Sequence, residues 1–283
     1  MSQRGLSLVE LLMALAMGSV LIAGAVTVYL RSSASYAVNE TVAGLHEAAR
    51  FALNTLEPHI RLAGYWGLTG DGARIRGGVG NVALTLDTRG ARCGAEFPLD
   101  LRRGVDAANN TYALPCAASG GGAVAEADVL LVRHAEPEPT HASAERLQLY
   151  TTLTGVDDRL FMDGHAPGPM THAEVHDLKA YAYYIARNAT GLTSLPALRR
   201  KVLQGGSAGP SIGDEEIMPG VEDLQVQFGI DPGIDENGDG LPDRYTGIAA
   251  RYVDPGDPAL HTAMTVAVRV WIRVRAERPE LGF

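Results

Sequence analysis

Three sets of side chains in this sequence are of types and spacings that could carry chemistry. Five histidines, His134, His141, His165, His172 and His176, fall within 43 residues, and the last two have the i, i+4 spacing with which a helix offers two imidazoles to one zinc ion. The match fails in detail. Glu174 stands two residues after His172, where a zinc-protease helix places its general base next to the first histidine, and Pro137, Pro139, Pro167 and Pro169 favour loop. The histidines therefore read as solvated surface groups. Cys93 and Cys116, the only cysteines, have no CxxC spacing and cannot build a structural zinc site alone. No GxSxG nucleophile turn and no phosphate loop occurs, so nothing in the sequence supports catalysis.

The third set does suggest a ligand. Residues 235–243 read DxNxDGxxD: Asp235, Asn237 and Asp239 place oxygens at alternate positions, with Gly240 at the sharp turn of a calcium loop. The Leu241 carbonyl takes the seventh position and Asp243 the ninth. Hard oxygens converging in this way suit Ca²⁺, which accepts about six to eight of them in flexible geometry. The twelfth position, a bidentate Glu in an EF-hand, is Thr246, and neither flank reads as a helix. The loop is closer to the DxDxDG loops of extracellular repeat and dockerin modules, with Asp243 as the closing carboxylate. The same residues also suit an ordinary Asn/Asp/Gly turn.

These groups need a scaffold, and the composition allows one. The chain has 283 residues, 46% apolar and 20% charged, enough for one large domain or two modest ones with a real core. Its formal charge of −9 argues against a general nucleic-acid binder, because that affinity comes from Lys and Arg neutralising phosphates. The mean hydropathy of zero conceals an uneven distribution. Residues 11–30 are 20 positions without a charge, which as a helix span about 30 Å, the thickness of a bilayer core. A cleaved secretory signal, with Ser35 or Ala37 at its cut, fits poorly, because the run is too long and Glu10 interrupts its beginning. A carboxylate next to hydrocarbon is costly and calls for a cationic partner.

Met1 to Gly5 followed by Leu6, Ser7, Leu8, Val9, Glu10 and the apolar run resembles the class III leader of type IV pilins. The resemblance implies that a prepilin peptidase cuts between Gly5 and Leu6 and that the new Leu6 terminus is N-methylated. Glu10 then becomes the fifth mature residue. The freed α-amine of a neighbouring subunit is a natural countercharge for Glu10 and would set axial register in a fibre.

Beyond Arg31 the pattern becomes striped. Val38, Val42, Leu45, Ala49, Ala52, Leu56 and Ile60 recur every three or four residues among polar neighbours, which predicts an amphipathic second half of the same helix. Pro58 predicts a kink or a stop around Glu57, and the helix gives out by Ala63 and Gly64. The exit Arg61, Leu62, Ala63, Gly64, Tyr65, Trp66, Gly67 resembles that of the PilW subgroup of large minor pilins. Residues 64–122 carry 13 glycines and only short apolar patches such as 82–86, so loops and short strands are expected there. In an extracytoplasmic domain the Cys93 and Cys116 pair within this stretch reads as a disulfide.

Strands become legible at 128–133, 146–150 and 180–186, and at the alternating Leu224, Val226 and Phe228. The clearest is the last, with Val266, Val268, Val270, Ile272 and Val274 on one face and Arg269, Trp271, Arg273 and Arg275 on the other. The expected fold is α+β and pilin-like, with a long N-terminal helix packed on an antiparallel β-sheet domain. The expected organisation is a leader at 1–5, a membrane and assembly helix at 6–30, the amphipathic half-helix at 31–63 and a globular domain at 64–283.

By resemblance the chain is a noncatalytic minor pilin that primes type IV pilus assembly and takes part in a tip complex supporting twitching motility and adhesion. The resemblance implies as partners other minor pilins, the major pilin, the prepilin peptidase, the inner-membrane assembly machinery and the membrane itself, with no nucleic acid. It implies a single-pass inner-membrane protein with a periplasmic C-terminal domain before assembly and a place in the fibre after it. A type II secretion pseudopilin shares the leader and helix. A membrane-anchored calcium- or zinc-dependent hydrolase is the alternative of another class.

Overall fold

The computed structural model describes residues 7–80, 93, 96–237 and 242–276. Gly5, Leu6, Asp239, Leu241 and the 82–86 patch lie outside the described residues. Two compact units result, the first ending at Glu47 and the second beginning at Ala48.

The first unit is helix. Helix α1 (Leu8–Leu62) opens with Leu, Ala and Met, strong helix formers, and an 18-residue window in it has a mean hydropathy of 2.3 with none of its residues buried. Its few hydroxyls are satisfied within the helix: Ser19 donates to the Ala16 carbonyl and Thr27 to that of Ala23, both at 2.8 Å. The helix is long and apolar enough to cross a membrane.

The last turns of α1 belong to the second unit, where Ala52 and Leu56 of the expected stripe are buried. The stop expected near Glu57 does not occur. Helix continues through Pro58 to Leu62, because a proline this close to a C-terminus removes a single internal bond, and the Glu57–Arg61 pair at 2.6 Å spans the position. The chain then turns at Gly64 (φ +80°), whose N–H donates to the Arg133 carbonyl at 3.0 Å. Gly104 lies against this turn so closely that a Cβ on it would stand 2.1 Å from the Gly64 nitrogen.

The second unit bears out the expected α+β arrangement, with its antiparallel strands in two sheets. The larger has seven antiparallel strands: β1 (Val105–Ala108), β2 (Val129–Ala135), β3 (Gln148–Thr152), β4 (Arg159–Phe161), β5 (Ala173–Ala186), β6 (Ala197–Gln204) and β7 (Ser211–Pro219). The path β1-β2-β5-β3-β4 runs through β5, whose 14 residues are long enough to pair β3 along the first part and β6 along the second, with β7 following β6. The smaller sheet is β10-β8-β9, from β8 (Val221–Asp231), β9 (Arg251–Val253) and β10 (Met264–Val274), with Val226 opposite Val270 and Leu224 opposite Ile272.

The period-2 geometry of β2 and β5 divides the core in two. Leu130, Val132, Tyr181, Tyr183 and Ile185 point to one side and meet Ala52 and Leu56 of α1 and Leu224, Val226, Phe228 and Ile230 of β8. Val129, Ala180, Ala182, Tyr184 and Ala186 point to the other, where Trp66, Ile75, Phe97, Leu99 and Leu101 cover them. Because both faces are covered, burial along the strand expected over 146–150 does not alternate: Leu147, Gln148, Leu149, Tyr150 and Thr151 are all buried. Asp128 ties the sheets together. Its backbone N–H donates to the Leu224 carbonyl, and its buried carboxylate accepts from the N–H groups of Val226 and Asn110, each at 2.8 Å. Burial pushes its pKa up, against the pull of those two donors.

Cys93 and Cys116 form a disulfide within the covering layer, and Cys93 is buried in the core beneath it. Closing a loop of this length restricts the unfolded chain by about 3 kcal/mol. The double substitution Cys93→Ser with Cys116→Ser is therefore expected to lower unfolding stability by about that amount, read from urea midpoints with and without reductant.

Candidate functional site

The residues singled out for function lie at three places: the start of α1, the junction where α1 enters the β domain, and the 231–247 loop.

At the start of α1, Ser7 is the N-cap and Glu10 the third helical residue. The Ser7 Oγ accepts from the Glu10 N–H at 3.3 Å, and a Glu10 carboxylate oxygen accepts from the Ser7 N–H at 3.0 Å. This reciprocal capping box satisfies two of the helix's orphan donors and sets a negative charge against the positive end of the helix dipole. The spacing Ser-x-x-Glu before an apolar run is the sequence signal of this box, and it gives Glu10 a role at the helix start besides the cationic partner expected from its charge. Within the first unit, Leu8, Leu11, Leu12, Leu15, Val20, Leu21 and Ile22 are all exposed. An apolar surface on every side of a helix requires lipid or neighbouring helices to cover it.

At the junction the histidine reading needs correction. His141, His165 and His172 are exposed as expected, but His134 and His176 are buried. The segment 172–176 is neither helix nor loop, because β5 begins at Ala173. His176 bonds through Nδ1 to the Glu136 carbonyl at 2.8 Å and through Nε2 to Glu174 at 3.0 Å, a local structural role. His134 faces α1. Its Nδ1 lies 2.8 Å from the Ala135 carbonyl and so carries the proton, which leaves Nε2 to accept from His59 Nδ1 at 3.1 Å. The rings stack 5.3 Å apart with Tyr181 beside them. Among the described residues no group of three or more His, Cys, Asp or Glu side chains converges as a metal site.

Of the proposed calcium ligands, Asp235, Asn237 and Asp243 are described. Asp243 accepts from the N–H groups of Glu236 and Asn237 at 2.8 and 3.3 Å and from the Asn237 amide at 3.1 Å. The loop is pinched at its base, where the Ile234 N–H donates to the Arg244 carbonyl at 2.8 Å. Asp231 anchors the far side by accepting from the N–H groups of Gly233, Thr246 and Gly247 and from the Thr246 hydroxyl. Burial opposes ionisation of Asp231, but these donors outweigh it and hold its carboxyl below the usual range.

Two family models match the chain. One, described as Type IV Pilus-assembly protein W, matches residues 182–282, and the other, described as Prokaryotic N-terminal methylation motif, matches residues 1–26. No curated relative and no solved structure matches. The two models together support a PilW-type minor pilin, and pilin-family domains point to a structural, noncatalytic protein. The leader motif and apolar helix fit a pilin anchored in the inner membrane and later incorporated into a pilus.

The His59–His134 pair carries a pH dependence. Burial first, then the charges of His134, Arg200 and Lys179, lowers the His59 pKa to about 4, and burial likewise lowers that of His134. A depressed folded-state pKa contributes stability that is complete above the unfolded value of about 6.5 and lost as pH falls toward the folded value. Urea unfolding of the wild-type chain is expected to lose about 1–2 kcal/mol from this pair between pH 7 and pH 4.5. In His59→Phe the share of the slope due to His59 should disappear, while the share due to the buried His134 remains.

Proposed function

We propose, on the premise that this chain is a PilW-type minor pilin, that it is a noncatalytic subunit priming type IV pilus assembly. In this reading it joins other minor pilins and the major pilin in a complex at the fibre tip and supports twitching motility and adhesion. Its C-terminal domain is periplasmic before assembly. The observation that carries the reading is the start of α1: a leader ending at Gly5, a capped helix start at Ser7, and a helix exposed and apolar on every side. The 182–282 match favours the pilus over a type II secretion pseudopilin.

Physically, processing between Gly5 and Leu6 replaces a polypeptide leader by an amine one residue before the cap. Glu10 is held at the helix start by its bond to the Ser7 N–H. There it is placed to receive the Leu6 amine of an adjacent subunit, and in low dielectric that pairing fixes how far one helix slides along the next. Glu10→Gln keeps the size and one acceptor oxygen but removes the charge. It is expected to leave leader cleavage intact while reducing the chain's recovery in sheared pilus fractions at least tenfold. Unchanged recovery contradicts the register mechanism.

The loop 235–243 is proposed to hold one Ca²⁺ through Asp235, Asn237, Asp239, the Leu241 carbonyl and Asp243, as a structural clip between β8 and the C-terminal strands. The pinched base at Ile234 and Arg244 supports this, because it brings both ends of the acidic loop together. At a tenfold excess of calcium over Kd the added stability is about 1.4 kcal/mol. Thermal melts are expected to rise with millimolar calcium in the wild type but not in Asp235→Ala or Asp239→Ala.

A further inference from the structure

The outer face of the β10-β8-β9 sheet presents a side-chain row that the reading above does not use. Arg269 and Trp271 of β10 project from it beside Tyr252 of β9, and all three are exposed. The Arg269 guanidinium carbon lies 3.7 Å from the centroid of the Tyr252 ring and 5.6 Å from that of Trp271. Gly229 makes the arrangement possible: a Cβ there would stand 3.0 Å from the Tyr252 ring and 2.8 Å from the Ala249 Cβ, so only glycine lets the ring settle against the sheet.

The neighbouring polar groups on this face are already matched. Arg273 pairs with Glu222 at 2.7 Å, Gln227 donates to Asp254 at 2.8 Å, and Gln225 donates to Asp223 at 3.0 Å. Arg269 makes no ion pair with a carboxylate among the described residues; its guanidinium lies against the two rings. Stacking occupies the flat face of a guanidinium and restricts its rotamers, yet leaves its in-plane N–H donors free. Those donors match a planar carboxylate in a bidentate pair, and the entropy of ordering the arginine is largely lost already. An adjacent half-exposed tryptophan can exclude water from such a pair. Trp, Tyr and Arg are the residue types that dominate the binding energy of protein interfaces. The surface is the face of a sheet and not a concave pocket, which fits a protein partner better than a small ligand.

We infer that Tyr252, Arg269 and Trp271 form a docking surface for an acidic patch on another pilin-like subunit, with an Asp or Glu of that subunit pairing with Arg269 while apolar atoms beside it cover Trp271. The inference rests on the proposed role as a fibre subunit.

The test uses the full chain in piliated cells, with the photo-reactive p-benzoylphenylalanine replacing Trp271 and cross-linked peptides identified by mass spectrometry. The expected product joins position 271 to a peptide of another pilin-like subunit containing an Asp or Glu. Arg269→Glu should reduce its yield at least fivefold, and replacing that carboxylate by Arg in the partner should restore it. A yield insensitive to Arg269→Glu, the absence of a product, or cross-linking to lipid or polysaccharide overturns the inference while leaving the pilin role intact. Failure of leader cleavage in the otherwise unaltered chain overturns the pilin role and the inference with it.

Discussion

One helix must satisfy two different surroundings, and the rest of the structure follows from that. The first part of α1 is apolar on all sides and can be stable only against lipid or other apolar helices. Its last turns show one buried stripe, Ala52 and Leu56, inside a domain with its own core. The second of these surroundings is supplied by a domain that packs around the last turns of the helix.

The grip comes from β2 and β5, which act as a spine with side chains committed to both faces. On the face toward α1, the sheet offers Leu130, Val132, Tyr181 and Tyr183, and His134 donates to its own strand while accepting from His59 of the helix. The smaller sheet shares this face, joined by Asp128. The other face is closed by Trp66, Ile75, Phe97, Leu99 and Leu101 from the described parts of the glycine-rich segment, where the disulfide also lies. His59, His134 and the Cys93–Cys116 disulfide thus hold the scaffold together.

Much of this was legible from the residues, for identifiable reasons. The apolar run and the alternation of β10 from Val268 to Val274 are local patterns with strong periods, and the structure follows them. The Cys93 and Cys116 pairing followed from the chain having two cysteines and an extracytoplasmic context. What escaped were features fixed by partners distant in sequence. Strands β6 and β7 carry no clear apolar alternation, because Arg199, Arg200 and Lys201 on one and Asp214, Glu215 and Glu216 on the other interrupt it. The basic residues pair across the strands with Glu216, Glu215 and Asp214, and the three-residue basic and acidic runs were the available signal. The burial of His134 and His176 depends on α1 and on the covering layer, neither of which a local window contains. The division into two sheets is set by the order of strand pairing, which periodicity does not encode.

The central claim is that this helix is made for insertion into a fibre after removal of a short leader, and the covalent state of its N-terminus reports on that most directly. Intact-mass and N-terminal peptide analysis of the chain isolated from the cell envelope should find a terminus at Leu6 carrying one added methyl group. A terminus near Val38 would mean that the apolar helix is a discarded secretory signal, and would contradict the account.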